Sequence, residues 1–159
     1  MQCSTSTFVV KIANFAKPET VINQQSDTTY FKMDERTKDI KKRFSDSCTE
    51  TEKFYDDLIA NYTGFERLKP IRQFIETLKQ NGEDKFFRLG TSVHILLISR
   101  SVNHGLRLDQ KYIKIDAFDS KFEVMLRDGD KVYRQYMVDS LDDLRITKLI
   151  RTLKDTLID

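Results

Sequence analysis

The spacing of apolar residues changes twice along the chain, and this change limits the fold more than any other feature of the sequence. Apolar side chains recur every three or four residues over residues 34–80, fall into short or alternating runs over residues 86–138, and return to helical spacing after residue 140. A period near 3.6 is typical of a helix with one buried face, and a period of two is typical of a strand. The sequence therefore predicts helices, then strands, then a helix.

The first helical stripe covers residues 34–62 and has a charged opposite face. Gly64 is a natural break, and a second stripe continues as far as Leu78. Pro70 fits only the first turn of that second helix, because its missing N–H does no harm there. Asn81-Gly82 predicts the end of the helix, since glycine adopts the left-handed C-terminal cap at low cost. The members of the first stripe are Ile40, Phe44, Cys48, Tyr55, Leu58, Ile59 and Tyr62.

Short apolar runs between residues 86 and 138 predict about four consecutive strands. Asp128-Gly129 is a strong hairpin signal, because both central positions of a type I′ turn take positive φ. With that loop, Glu123 faces Arg134 across the hairpin as an ion pair. Val124 likewise faces Tyr133, which is a favourable apolar pair. The runs are residues 86–87, 93–98, 112–115, 122–126 and 131–138.

A last helix is predicted with Ser140 as its N-cap and Asp143 beside the free amides of its first turn. Its apolar stripe is Leu141, Leu144, Ile146, Leu149, Ile150, Leu153 and Leu157. The predicted element order is β-α-α-β-β-β-β-α. Because short links between consecutive strands favour a meander, we expect an α+β fold with a mainly antiparallel sheet of about four strands and helices packed on it.

The beginning of the chain is predicted to stand apart from the rest. Residues 7–12 can form a short strand, and residues 13–33 are polar and read as a loop. A structureless loop of this length is uncommon inside a compact domain. We therefore expect residues 1–33 to be an N-terminal arm and residues 34–159 to be a single α+β domain.

Charge and cysteine content exclude several classes of protein. With 27 basic and 25 acidic side chains, the net charge of +2 gives weak steering toward polyanions, unlike that of a dedicated nucleic-acid binder. Cys3 and Cys48 lie far apart, which favours a reducing compartment over a disulfide framework. The start of the chain lacks a signal-peptide pattern, and the apolar run at 93–98 is too short to cross a membrane. A cytoplasmic protein without membrane contact is expected.

The polar segment 99–112 joins two predicted strands and concentrates the groups that can carry chemistry. Arg100 and Arg107 can grip a phosphate or carboxylate through their forked guanidinium groups. His104 can act as an acid or base, and Tyr112 can donate a proton or stack on a base. These four residues are the candidate binding residues. The alternative interpretation is a solvated loop that only connects the strands.

The remaining titratable residues do not predict a metal site or a cofactor. His94 lies between apolar neighbours and is expected to be half-buried and hydrogen-bonded. Asp116, Asp119 and Glu123 can hold magnesium at a strand end. However, no lysine follows Glu123 at the spacing of the usual nuclease signature, and Asp119-Ser120 also reads as a turn.

Two functional interpretations follow, because no motif names a reaction. The first is a non-enzymatic protein-interaction module, such as an adaptor, an inhibitor or an immunity-type protein, whose partner is another protein. The alternative is a metal-independent RNA-binding or RNA-cleaving protein that uses the 99–112 segment, since the element order loosely resembles that of small ribosome-dependent ribonuclease toxins. In that case Arg100 and Arg107 stabilise charge on the phosphate, and His104 or Tyr112 moves protons.

Overall fold

A computed structural model describes residues 34–105 and 109–158, which form three α-helices and one five-stranded antiparallel sheet. The helices are α1 (Glu35–Asn61), α2 (Lys69–Gln80) and α3 (Leu144–Lys154), and the strands are β1 (Arg88–Ser92), β2 (Ile95–Ser99), β3 (Lys111–Phe118), β4 (Lys121–Asp128) and β5 (Lys131–Val138). The predicted α+β class is confirmed, with five strands in place of about four. The predicted strand at 7–12 and the predicted arm at 1–33 lie outside the described residues.

The five strands follow chain order across the sheet, and each is antiparallel to the next. Ile98, Ile113 and Leu126 stand in one row across β2, β3 and β4, and all three are buried. They belong to one apolar cluster with Ile75 of α2 and Leu149 of α3. Alternate residues of the strands therefore face a core that α2 and α3 complete, as the predicted meander requires.

Helix α1 lies along the β1 edge of the sheet. The Ser47 hydroxyl on α1 accepts a hydrogen bond of 3.1 Å from the backbone N–H of Leu89. The Tyr55 hydroxyl donates one of 3.0 Å to the backbone carbonyl of His94, in the turn between β1 and β2. Side chains of α1 thus satisfy backbone groups at this edge, whereas β5 at the opposite end of the sheet has no further described strand beside it.

Helix α2 has both of its predicted end signals and is held to α1 by buried charge. Pro70 lies in its first turn, and Gly82, just beyond its end, has a left-handed φ of +71°. The buried carboxylate of Glu52 on α1 lies 2.6 Å from Lys79 Nζ and 3.3 Å from Arg72 Nη1. Three charged side chains therefore connect the two helices beside the apolar contacts.

The β4–β5 hairpin closes one residue later than predicted. Asp128 pairs with Lys131, which makes Gly129-Asp130 the two-residue loop in place of Asp128-Gly129. The backbone N–H of Gly129 donates to the carbonyl of Gln110 at 3.0 Å. Gln110 lies just before β3, far from the hairpin in the sequence. The residues around the hairpin therefore could not predict this hydrogen bond.

A β-bulge between Leu126 and Arg127 changes the register further and leaves Tyr133 without a partner on β4. A bulge inserts one residue into one strand only, so every pair beyond it moves by one position. The register predicted from the loop alone was therefore wrong. The observed pairs are Val124 with Tyr136 and Glu123 with Met137, where Tyr133 and Arg134 were predicted as the partners.

Helix α3 begins later and ends earlier than predicted. Its N-cap is Asp143, whose carboxylate accepts the backbone N–H of Arg145 at 2.8 Å, whereas Ser140 accepts an N–H in the preceding turn. Both residue types are good caps, and the helix starts at the one whose following residues continue the turn. Leu144 and Leu157 are 75% and 84% exposed and do not belong to the apolar stripe, whereas Leu141 is buried as predicted, although it precedes the helix.

Candidate functional site

The residues predicted to bind a ligand are distributed over different parts of the fold. Arg100 follows β2, and its Nη1 donates a hydrogen bond of 2.5 Å to the carbonyl of Lys154, the last residue of α3. Burial lowers the pKa of Arg100, an effect that the nearby carboxylate of Asp155 opposes. A cation at this position complements the free carbonyls at the C-terminus of a helix. Arg100 therefore stabilises the end of α3.

Tyr112 lies on β3 and faces away from the apolar core, since its neighbour Ile113 faces into it. It pairs across the sheet with Arg127, whose guanidinium carbon is 6.0 Å from the ring centroid. Arg107 lies outside the described residues. Tyr112 is the cross-strand partner of Ser99, which lines the cleft that contains His104, but neither Arg100 nor Tyr112 is itself among the residues that line that cleft.

His104 lines a cleft of about 370 Å³ between α1 and the β1 edge of the sheet. An adjoining cavity shares Ser47, Glu50, Arg88 and His104 with it. Neither Glu50 nor Arg88 was among the predicted binding residues, and Glu50 lies on the exposed side of a helix more than 50 residues before His104. The walls of the cleft include Ser47, Glu50, Phe54, Arg88, Gly90 and Leu97.

The polar groups of this cleft differ in how they are held. Nη1 of Arg88 donates to the carbonyl of Val102 at 2.9 Å, which fixes the guanidinium and leaves its other donors for a ligand. Within residues 34–105 and 109–158, the side chains of Glu50 and His104 make no hydrogen bond and no ion pair. The cleft therefore offers one anchored cation, one carboxylate and one imidazole to whatever enters it.

A second feature of the molecule is the exposed surface of β5. Val132, Tyr133 and Met137 are each about half exposed, at 48%, 54% and 49%. The guanidinium of Arg134 lies 4.5 Å from the ring centroid of Tyr133. Sequence reasoning treated these residues as an ordinary strand, because the pattern of one strand does not show whether it lies at the edge of its sheet.

His94 has the half-buried environment predicted for it, although it lies in the turn after β1 and not within a strand. Its Nε2 is 3.4 Å from Oδ1 of Asp116, and Oδ2 of Asp116 is 3.4 Å from Nζ of Lys114. In the part of the chain that the structure describes, no group of three or more His, Cys, Asp or Glu side chains is placed to hold a metal ion. The same part contains no helix with the length and apolar character needed to cross a membrane.

Neither a family model, nor a curated protein, nor a solved structure matches this chain.

Proposed function

We propose that this protein is a non-enzymatic interaction module that binds an extended segment of another protein along the edge of β5, beside which residues 34–105 and 109–158 place no further strand. The observation that carries the proposal is an eight-residue strand at the end of the sheet with apolar and aromatic side chains exposed. An edge strand presents a row of unpaired N–H and C=O groups, and a strand from another chain can pair with them. The backbone supplies affinity, and the side chains supply specificity.

The side chains on β5 are of the kinds that dominate protein interfaces. Tyrosine and arginine are enriched among the residues that contribute most binding energy. Arg134 stacks on Tyr133, and Arg145 of α3 lies 5.2 Å from the ring centroid of Tyr136. Each stacked pair limits the rotamers of two long side chains before binding, which lowers the entropy lost when a partner arrives.

The charges on this surface favour an acidic partner. Strand β5 carries Lys131 and Arg134 and no acidic residue, whereas the charge of Arg145 beside it is paired with Asp143. Pairing with a second copy of the chain would bring these cations together, which is destabilising across strands. A partner segment with Asp or Glu between its apolar residues would instead place opposite charges across the interface.

The test is an affinity capture from the cells that make the protein, followed by binding measurements with the partner identified. Met137→Lys places a charge on the β5 edge and is expected to weaken binding by about tenfold or more. Val93→Lys is the matched control, since it adds the same charge at an exposed apolar residue away from β5. Retention of the partner by the control and its loss from the edge variant would support the proposal.

Equal binding by the two variants would place the interface elsewhere. The remaining alternative is that β5 pairs with a second copy of the chain, and sedimentation of the protein alone tests it. A dimer that dissociates in the Met137→Lys variant would support that alternative and would overturn the assignment of an acidic partner.

A further inference from the structure

Small residues form part of the wall of the cleft between α1 and β1 and leave space there. Gly90 has no side chain, and a Cβ built on it would meet nothing within 4 Å. The φ of Gly90 lies outside the left-handed region, so the backbone conformation does not require glycine there. Ser47 and Ser99 are also small. The resulting volume of about 370 Å³ lies in the range typical of small-molecule sites.

The cleft combines an apolar wall with polar groups of different kinds. Phe54 and Leu97 provide surfaces on which a planar ring can pack. Arg88 is held by Val102 with donors to spare, and two parallel N–H donors match a phosphate. Glu50 is only an acceptor when ionised, so it requires N–H or O–H donors from a ligand.

These requirements are met together by one class of ligand. We propose that the cleft binds a nucleoside monophosphate, or one nucleotide unit of an RNA strand, with its phosphate on Arg88 and its base against Phe54. His104 lies on the same side of the cleft as the loop that anchors Arg88 and adds a hydrogen bond to the phosphate. Glu50 accepts from N–H groups on the edge of the base, which favours guanine because guanine offers two adjacent donors to one carboxylate.

This site is separate from the proposed interaction edge. None of its residues lies on β5, which pairs with β4 at the opposite end of the sheet. Failure of one proposal therefore leaves the other unaffected.

The test measures binding of GMP, UMP and inorganic phosphate to the full chain by calorimetry. GMP is expected to bind about tenfold or more tightly than inorganic phosphate, because the base adds contacts that phosphate lacks. Gly90→Val fills the cleft with a residue that suits a strand and is expected to abolish binding. Glu50→Gln keeps the size of the side chain, and the Glu50 side chain has no partner among the residues that the structure describes, so the change is expected to be neutral for folding. It is expected to remove the preference for GMP over UMP.

Arg88→Met is expected to weaken GMP binding by about tenfold, and Arg151→Met on α3 is its control, since Arg151 is exposed and lies outside the cleft. A single-stranded hexaribonucleotide distinguishes the two sources of the ligand. Tighter binding of the hexamer than of GMP, lost in Gly90→Val, would identify RNA; equal or weaker binding would identify the free nucleotide. The proposal is overturned if neither ligand binds, or if Gly90→Val folds and binds GMP as the wild type does.

Discussion

The guanidinium of Arg100 donates a hydrogen bond of 2.5 Å to the backbone carbonyl of Lys154, which joins the end of β2 to the last turn of α3. Lys154 is itself held on the other side, because its Nζ lies 2.9 Å from a carboxylate oxygen of Glu83. The sequence assigned Arg100 to ligand binding, whereas its recorded contact in the structure is with the end of a helix.

Replacing Arg100 with Ala is expected to lower the free energy of unfolding by about 2 kcal/mol, because a charge-assisted hydrogen bond is lost and the Lys154 carbonyl loses its partner. Urea unfolding followed by circular dichroism measures the change. Arg151→Ala removes an exposed arginine from the same helix and is expected to change the free energy by no more than about 0.5 kcal/mol. Similar losses in both variants would show that the positive charge matters and the hydrogen bond does not.

We expect the side chain of Asp143, and not that of Ser140, to stabilise the N-terminus of α3. Asp143→Ala should lower the unfolding midpoint more than Ser140→Ala, because the Asp143 carboxylate accepts the backbone N–H of Arg145. The opposite order of the two midpoints would restore Ser140 as the cap.

The same carboxylate predicts a dependence of stability on pH. Hydrogen bonds from the side chain and backbone of Arg145 lower the pKa of Asp143 from 3.8 to about 2. A group whose pKa is depressed by folding stabilises the folded state above its unfolded pKa, and this contribution is lost as the pH falls toward the folded value. The difference in unfolding midpoint between the wild type and Asp143→Asn should therefore be constant above about pH 5 and shrink between about pH 4 and pH 2. A difference that stays constant down to pH 2 would contradict the assignment.

Cys48 is expected to be unreactive while the protein is folded. The side chain is fully buried, and burial raises the pKa of its thiol to about 11, with the charges of Glu52 and Asp84 adding to the effect. In a Cys3→Ser variant, a disulfide reagent at pH 8 should label Cys48 only at the rate at which the protein unfolds. Labelling of the folded protein at the rate of a free thiol would show that α1 opens locally.

The buried carboxylate of Glu52 is expected to be essential to the contact between α1 and α2. Glu52→Gln should lower the free energy of unfolding by about 3 kcal/mol, because it leaves the charge of Arg72 in a poorly solvated position with fewer partners. Glu50→Gln, an exposed change on the same helix, should alter it by no more than about 0.5 kcal/mol. Urea unfolding at pH 7 compares the two, and a loss below 1 kcal/mol for Glu52→Gln would mean that water screens the pair.

The turn between β1 and β2 stores backbone strain that a glycine should release. Val93 has a φ of +59°, which is unfavourable for a β-branched residue, and its side chain is 79% exposed. Val93→Gly is expected to raise the free energy of unfolding by about 1 kcal/mol, because little packing is lost. Val93→Ala retains a Cβ and should gain less. A destabilised glycine variant would show that the Val93 side chain contributes more than its exposure suggests.

Some elements were predictable from the sequence because their signals are local. The α1 stripe as far as Ile59, Pro70 in the first turn of α2 and the left-handed Gly82 each depend on residues within one or two turns of helix. Tyr62, the last predicted member of the stripe, follows the helix and is 55% exposed. The meander was predictable because short links leave few other ways to arrange consecutive strands. Strand β1 was missed because Leu89 is the only large apolar residue among its five.

The arrangement of the candidate sites depended on contacts between distant parts of the chain. The sequence by itself determined that His104 lies in a polar segment after a strand, and that β5 is a strand. Only the tertiary structure placed His104 beside Glu50 and Arg88, and only the tertiary structure left β5 at the end of the sheet. The physical reason is that periodicity and capping report on the environment of a residue along its own element. Which element packs beside it is fixed by burial and hydrogen bonding summed over the whole fold.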